Sequence, residues 1–126
     1  MPTLSKPVLK IQLIGGSNQA DVTVTCQVNF SKFDLAMIEH GLRFRARCLL
    51  RGADSGFNGA DDDLTYLPSA FVGSAGTVTF HAKVNKSVLD EDWGRDEIYA
   101  RVTLTSLEAL VPFSRTADSA IVTGSF

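Results

Sequence analysis

Chemistry in this chain would have to be built from few side chains. His40 and His81 are its histidines, and Cys26 and Cys48 its cysteines. A nucleophile with a general base, or a zinc site, needs such residues grouped together. Neither histidine has a second histidine or a cysteine beside it at ligand spacing. No Gly-x-Ser-x-Gly elbow occurs, and no glycine loop opens a helix in the manner of a phosphate cradle. Gly15-Gly16-Ser17 and Gly73-Ser74-Ala75-Gly76 read instead as hairpin turns. The expectation is a protein without catalytic residues.

Other residue groups could bind rather than react. Asp54, Asp61, Asp62 and Asp63 fall in one connection, and Asp90, Glu91, Asp92, Asp96 and Glu97 in another. Calcium takes about six to eight hard oxygens at roughly 2.3–2.6 Å, and two carboxylate-rich loops at one end could supply them. Calcium is therefore the one cofactor these residues suggest, with Asp54, Asp61, Asp62, Asp63, Asp90 and Asp92 as candidate ligands. The EF-hand spacing is absent, and a solvated acidic rim is the alternative.

Arg43, Arg45 and Arg47 alternate along one segment, which in a strand would space them about 7 Å apart on one face. If the strand carrying Arg101 is its neighbour, Arg101 joins the row. Like charges in a row need neutralising, either by carboxylates on adjacent strands or by an anionic ligand or acidic partner. A third group is apolar. Phe33, Leu35, Met37 and Ile38 lie in one connection, and Leu107, Leu110, Val111 and Phe113 in another. Loops are normally polar because their backbones need water. These two are expected either to close the core as a lid or to form a contact patch, with Leu107, Leu110, Val111, Phe113, Phe33 and Met37 as candidate contact residues.

The elements that must position these groups are strands. Val22, Val24, Cys26, Val28 and Phe30 alternate with Thr23, Thr25, Gln27 and Asn29, giving one buried and one wet face. Leu42 to Leu50, Val78 to Val84 and Ile98 to Leu104 repeat the pattern. Val8 to Ile14, Leu64 to Val72 and Thr116 to Phe126 complete a set of seven. Pro68 cannot donate to a ladder, which places its strand at a sheet edge. In the last strand Ala120 and Val122 should share one face, with Ile121 and Thr123 on the other. One short helix is expected between Ser31 and His40, where Ser31 and Asp34 have capping-box spacing.

Strands without long helices between them imply an all-β, seven-stranded antiparallel β-sandwich in a single domain spanning residues 1–126. Val22-Thr-Val-Thr-Cys26 resembles the second strand of an immunoglobulin-like or fibronectin-III-like domain, and Asp96-Glu-Ile-Tyr99 is similar to the tyrosine corner that opens the sixth. Arg101 stands where an immunoglobulin domain has its second cysteine, and Trp93 lies in an acidic loop rather than on the third strand. The resemblance thus implies an architecture and says nothing about a ligand, and a jelly roll or other Greek key is an alternative. Cys26 and Cys48 both fall on inward positions, as two buried thiols or as a cross-sheet disulfide.

Length and charge bound the function. A chain of 126 residues can bury one substantial core without a staple. A net charge of −2 argues against nucleic acid held by global charge. No apolar run approaches a membrane span, and Met1 to Lys10 has no leader pattern, so a cytoplasmic location is the expectation. The expected function is a non-catalytic module making protein–protein contact, with itself as a homo-oligomer or within a larger assembly. The alternative is a module binding calcium, an anion or a carbohydrate.

Overall fold

A computed structural model describes residues 2–53, 62–73, 76–89, 96–108 and 112–124, and the side chain of Asp62 lies outside that description. The elements run β1 (Thr3–Leu4), β2 (Val8–Leu13), β3 (Gln19–Asn29), α1 (Lys32–Glu39), β4 (Phe44–Gly52), β5 (Asp62–Val72), β6 (Thr77–Asn85), α2 (Lys86–Leu89), β7 (Asp96–Ser106), β8 (Ser114–Asp118) and β9 (Val122–Gly124).

Two antiparallel sheets pack face to face. In the first, β3 is central, with β6 on one side and β1 then β2 along the other. The β1–β2 break falls at Ser5 to Pro7. Ser5 carries the ladder across it, donating its N–H to the Gln27 carbonyl at 2.9 Å and accepting the Gln27 N–H on its hydroxyl at 3.0 Å. The second sheet has the order β5-β4-β7, with β8 and β9 in succession on the far side of β7. All seven expected strands are present, β1 is an addition, and the last strand comes in two pieces.

Alternation decides the core. Val22, Val24, Cys26 and Val28 from β3 meet Phe44, Ala46, Cys48 and Leu50 from β4, with Ile98, Ala100, Val102 and Leu104 from β7, and all are buried. Leu42, just before β4, is buried with them. A one-residue slip in any of these strands would turn its apolar set to solvent, so the register is strongly specified.

Where alternation fails, bulges are the cause. Ala46 pairs with Ala70 and Cys48 with Leu67, so Arg47 stands opposite both Pro68 and Ser69. A second shift lies between Leu50 and Arg51, where Leu64 is the extra residue. Two bulges and a proline blunt β5, which lies at the sheet edge as Pro68 requires. The last strand is interrupted in the same way. Asp118 pairs with Arg101 and Val122 with Ile98, leaving Ser119, Ala120 and Ile121 opposite Tyr99 and Ala100. Buried Ser119 bridges the gap, donating its N–H to the Ala100 carbonyl at 2.8 Å and accepting the Ala100 N–H on its hydroxyl at 2.9 Å. Ala120 therefore does not share a face with Val122. Ala120 is exposed, whereas Val122 packs against the core.

The turn expectations divide. Gly15 to Asn18 closes the β2–β3 hairpin, with Gly16 at φ 72° and the Ile14 N–H donating to the Gln19 carbonyl at 3.2 Å. Residues 73–76 do not close a hairpin, because β5 and β6 belong to different sheets. The helix forms as its cap predicts. Ser31 Oγ accepts the Asp34 N–H at 3.1 Å, and Asp34 Oδ2 accepts the Ser31 N–H at 2.9 Å. Burial alone would raise the Asp34 carboxyl, but its hydrogen bonds with Ser31 hold it below the usual carboxylate range.

Candidate functional site

Three surfaces result from this arrangement. The first is the end of the sandwich where β3 runs into α1 and β7 into β8. Phe44 sits at its centre, with the Phe30 ring at 5.7 Å and the Phe113 ring edge-on at 5.9 Å. Met37, Ile38 and Phe113 pack down onto the core, so they form a lid. Phe33 and Leu107 do not: Phe33 is 71% exposed and Leu107 36%. Leu35 is also exposed, at 37%. The Leu107 N–H donates to the Arg43 carbonyl at 2.9 Å, which fixes the start of the second apolar connection beside β4. An open groove of about 560 Å³ lies along it, lined by Leu107, Glu108, Pro112 and Phe113 among others. Leu110 and Val111 lie outside the described residues. The apolar set divides between lid and surface, which the composition of the two connections does not reveal.

The second surface is the outer face of the β5-β4-β7-β8 sheet. Arg45, Arg47, Leu49 and Arg51 from β4 stand opposite Thr105, Thr103, Arg101 and Tyr99 from β7. Arg101 is therefore on the arginine face. Arg43 precedes β4 and is exposed at the end of the row. The neutralising partners differ from row to row. Arg51 Nε pairs with Asp63 Oδ1 at 2.8 Å, and its Nη1 donates to the Tyr99 hydroxyl at 3.0 Å. Arg101 makes a two-bond fork to Asp118, with Nε to Oδ1 at 2.8 Å and Nη2 to Oδ2 at 3.1 Å. Arg45 lies over the Phe71 ring at 5.1 Å. Tyr99 lies on this outer face yet is 6% exposed, because Arg51 and Arg101 both stack on its ring at 5.9 Å. Its hydroxyl accepts from the Arg51 side chain on the neighbouring strand. Between Arg47 and Arg101 is a cleft of about 190 Å³, lined also by Leu49, Tyr66 and Thr103. Alternation along residues 64–72 does not identify Tyr66 as a wall of it, because the bulges break the parity.

The third surface is the opposite end. Gly52 pairs with both Asp62 and Ile98, and the Ala53 N–H donates to the Glu97 carbonyl at 2.7 Å. The two acidic connections thus leave the sandwich together. Asp54, Asp61, Asp90 and Asp92 lie outside the described residues, as does the Asp62 side chain, and Asp63 is held by Arg51. Among the described residues, no three His, Cys, Asp or Glu side chains group as a metal site.

His40 caps the C-terminal end of α1 and is exposed. His81 Nε2 lies 3.3 Å from Asp21 Oδ1 across two strands of the other sheet. Cys26 and Cys48 are buried free thiols. Burial pushes the Cys48 thiol up to about 12, and the charge of Cys26 adds to the rise. Burial raises Cys26 as well, against the lowering effect of its hydrogen bond with Ser5. A thiol that titrates higher folded than unfolded stabilises the fold fully below its unfolded value of about 8.5. That contribution is lost as pH rises toward about 12. The expected result is a denaturation midpoint that falls through this alkaline range, with a shallower fall in Cys48→Ala. Equal slopes in the two proteins would remove Cys48 as the cause.

No protein-family model, no curated protein and no solved structure matches this chain, so these surfaces rest on its own geometry.

Proposed function

We propose that this domain is a non-catalytic β-sandwich module that works by protein–protein contact through its apolar end, with a second copy of the chain as the occupant. The supporting observation is Phe33, 71% exposed on a helix whose Met37 and Ile38 already pack against the core. A helix with one apolar set satisfied inward gains nothing within the fold from a second one in water. Leu107 at the same end extends the patch, and the groove beside it offers a concave partner surface. Burying side chains of this size contributes about 1.5–3 kcal/mol each, enough for a few of them to hold an assembly. No chemical step is assigned to His40 or His81.

Sedimentation velocity tests the reading. Wild type is expected to shift to faster species with concentration, and the Phe33→Ser, Leu107→Ser double variant to stay monomeric with an unchanged melting curve. Both positions are exposed, so the variant should keep its fold. A wild type that stays monomeric throughout, indistinguishable from the variant, would refute self-association through this end.

A further inference from the structure

Within β4, the arginine face has a row at Arg47 that the described residues leave incomplete. Taken from one end of the sheet to the other, Arg51 has Asp63, Arg101 has Asp118, and Arg45 has the Phe71 ring. Arg47 is exposed and has no ion pair, hydrogen bond or ring contact among the described residues. Its pairing partner on β7 is Thr103, which in turn pairs with Thr116 on β8. Those two hydroxyls lie 3.3 Å apart, satisfied by each other. One row along, the equivalent β8 position is Asp118, which supplies the carboxylate that Arg101 grips. On the other flank, Arg47 faces the bulge of Pro68 and Ser69, which offers no acid either.

We propose that the cleft beside Arg47 binds the carboxylate of an aspartate or glutamate side chain from an acidic segment of a partner protein. Arg101 shows the binding mode on the same face: two parallel N–H···O bonds to one carboxylate. An incoming carboxylate at Arg47 completes the row as Asp118 completes its neighbour. Arg101 is neutralised by Asp118, so the uncompensated positive charge of the cleft belongs to Arg47. The exposed Tyr66, with Leu49 and Thr103, completes the lining. At about 190 Å³ the space admits a single acidic side chain with its methylene stem rather than a large ligand. This surface lies on the sheet face and is separate from the apolar end, so it stands or falls independently of self-association there.

The test uses a fluorescently labelled hexaglutamate peptide and anisotropy at low ionic strength. Wild type is expected to bind, and added salt to weaken binding. Arg47→Gln should weaken it about tenfold, the loss of one charge-assisted bidentate contact. Arg47→Lys keeps the charge but not the fork, and should recover only part of the affinity. Arg43→Gln, on the same strand line but outside the cleft, should change it less than about twofold. Equal losses in Arg43→Gln and Arg47→Gln would mean diffuse attraction to a basic face and overturn the cleft. Full affinity in Arg47→Lys would overturn the bidentate mode. Absence of peptide binding, or Arg47-dependent binding of inorganic phosphate in its place, would overturn the carboxylate assignment. Melting curves of the variants, expected to match wild type, keep misfolding separate from lost binding.

Discussion

Phe44→Ala is expected to remove about 3–5 kcal/mol of folding stability, the usual cost of truncating a buried phenylalanine. Phe44 is 2% exposed and contacts two other rings, Phe30 at 5.7 Å and Phe113 at 5.9 Å. The loss therefore combines transfer of the ring, the cavity left behind and two aromatic contacts. It also removes the floor on which the lid from the β7–β8 connection rests. Thermal unfolding should show a fall on the order of 10–20 °C. Phe33→Ala is the matched control: the same truncation at a residue 71% exposed should cost no more than about 0.5 kcal/mol in the isolated chain. Similar losses at the two positions would mean that the assignment of Phe44 to the core and Phe33 to the surface is wrong.

Gly76→Ala is expected to cost on the order of 3 kcal/mol or more, for two reasons that add. Gly76 has φ 79°, a left-handed conformation that penalises any L side chain by about 1–2 kcal/mol. In addition, a Cβ there would collide with the backbone carbonyl oxygen of Val28. That contact cannot relax by a rotamer change, because Val28 is held in β3 and its N–H donates to the Gly76 carbonyl at 2.5 Å. The substitution thus attacks the point where the chain enters the first sheet from the second. Gly73→Ala provides the contrast, since a Cβ there meets nothing within 4 Å and needs no left-handed backbone. Chemical denaturation of the two variants beside wild type separates them. A Gly76→Ala protein as stable as Gly73→Ala would refute the close approach.

Legibility in the sequence depends on the number of faces a segment buries. β3, β4, β6 and β7 each have one face in the core and one in water, and their alternation is readable without a structure. The capping box is equally legible, because Ser31 and Asp34 interact within one helical turn. β5 is harder: each bulge inverts the parity of the residues after it, and two occur within eleven residues. Ser119 is illegible as a bridge because a serine in a polar segment looks like any solvated serine. Its burial depends on which backbone it meets. The spacing of the arginines can be read, and so can their shared face. Their partners cannot, because Asp63, Phe71 and Asp118 come from other strands at registers that bulges set. The two apolar connections stand out by composition, but composition alone does not separate Phe113, which packs on Phe44, from Phe33, which faces water.

The crossed connectivity of the two sheets has a temporal consequence. β2 with β3, and β4 with β5, are neighbours in the chain and can pair as soon as a short loop closes. The ladders that make each sheet whole, β3 with β6 and β4 with β7, join strands separated by several other elements. Closing those long loops loses chain entropy before any core is buried, and topologies of this kind fold in milliseconds to seconds rather than microseconds. During that interval the inner faces of both early pairs are open, and β3 and β4 carry the most apolar of them. A newly made chain is therefore most exposed to mispairing before β6 and β7 arrive. Arg101 and Asp118 can meet within the local β7–β8 pair, but only when β7 docks against β4 does Arg101 come beside the β4 arginines, so the outer arginine face is assembled last.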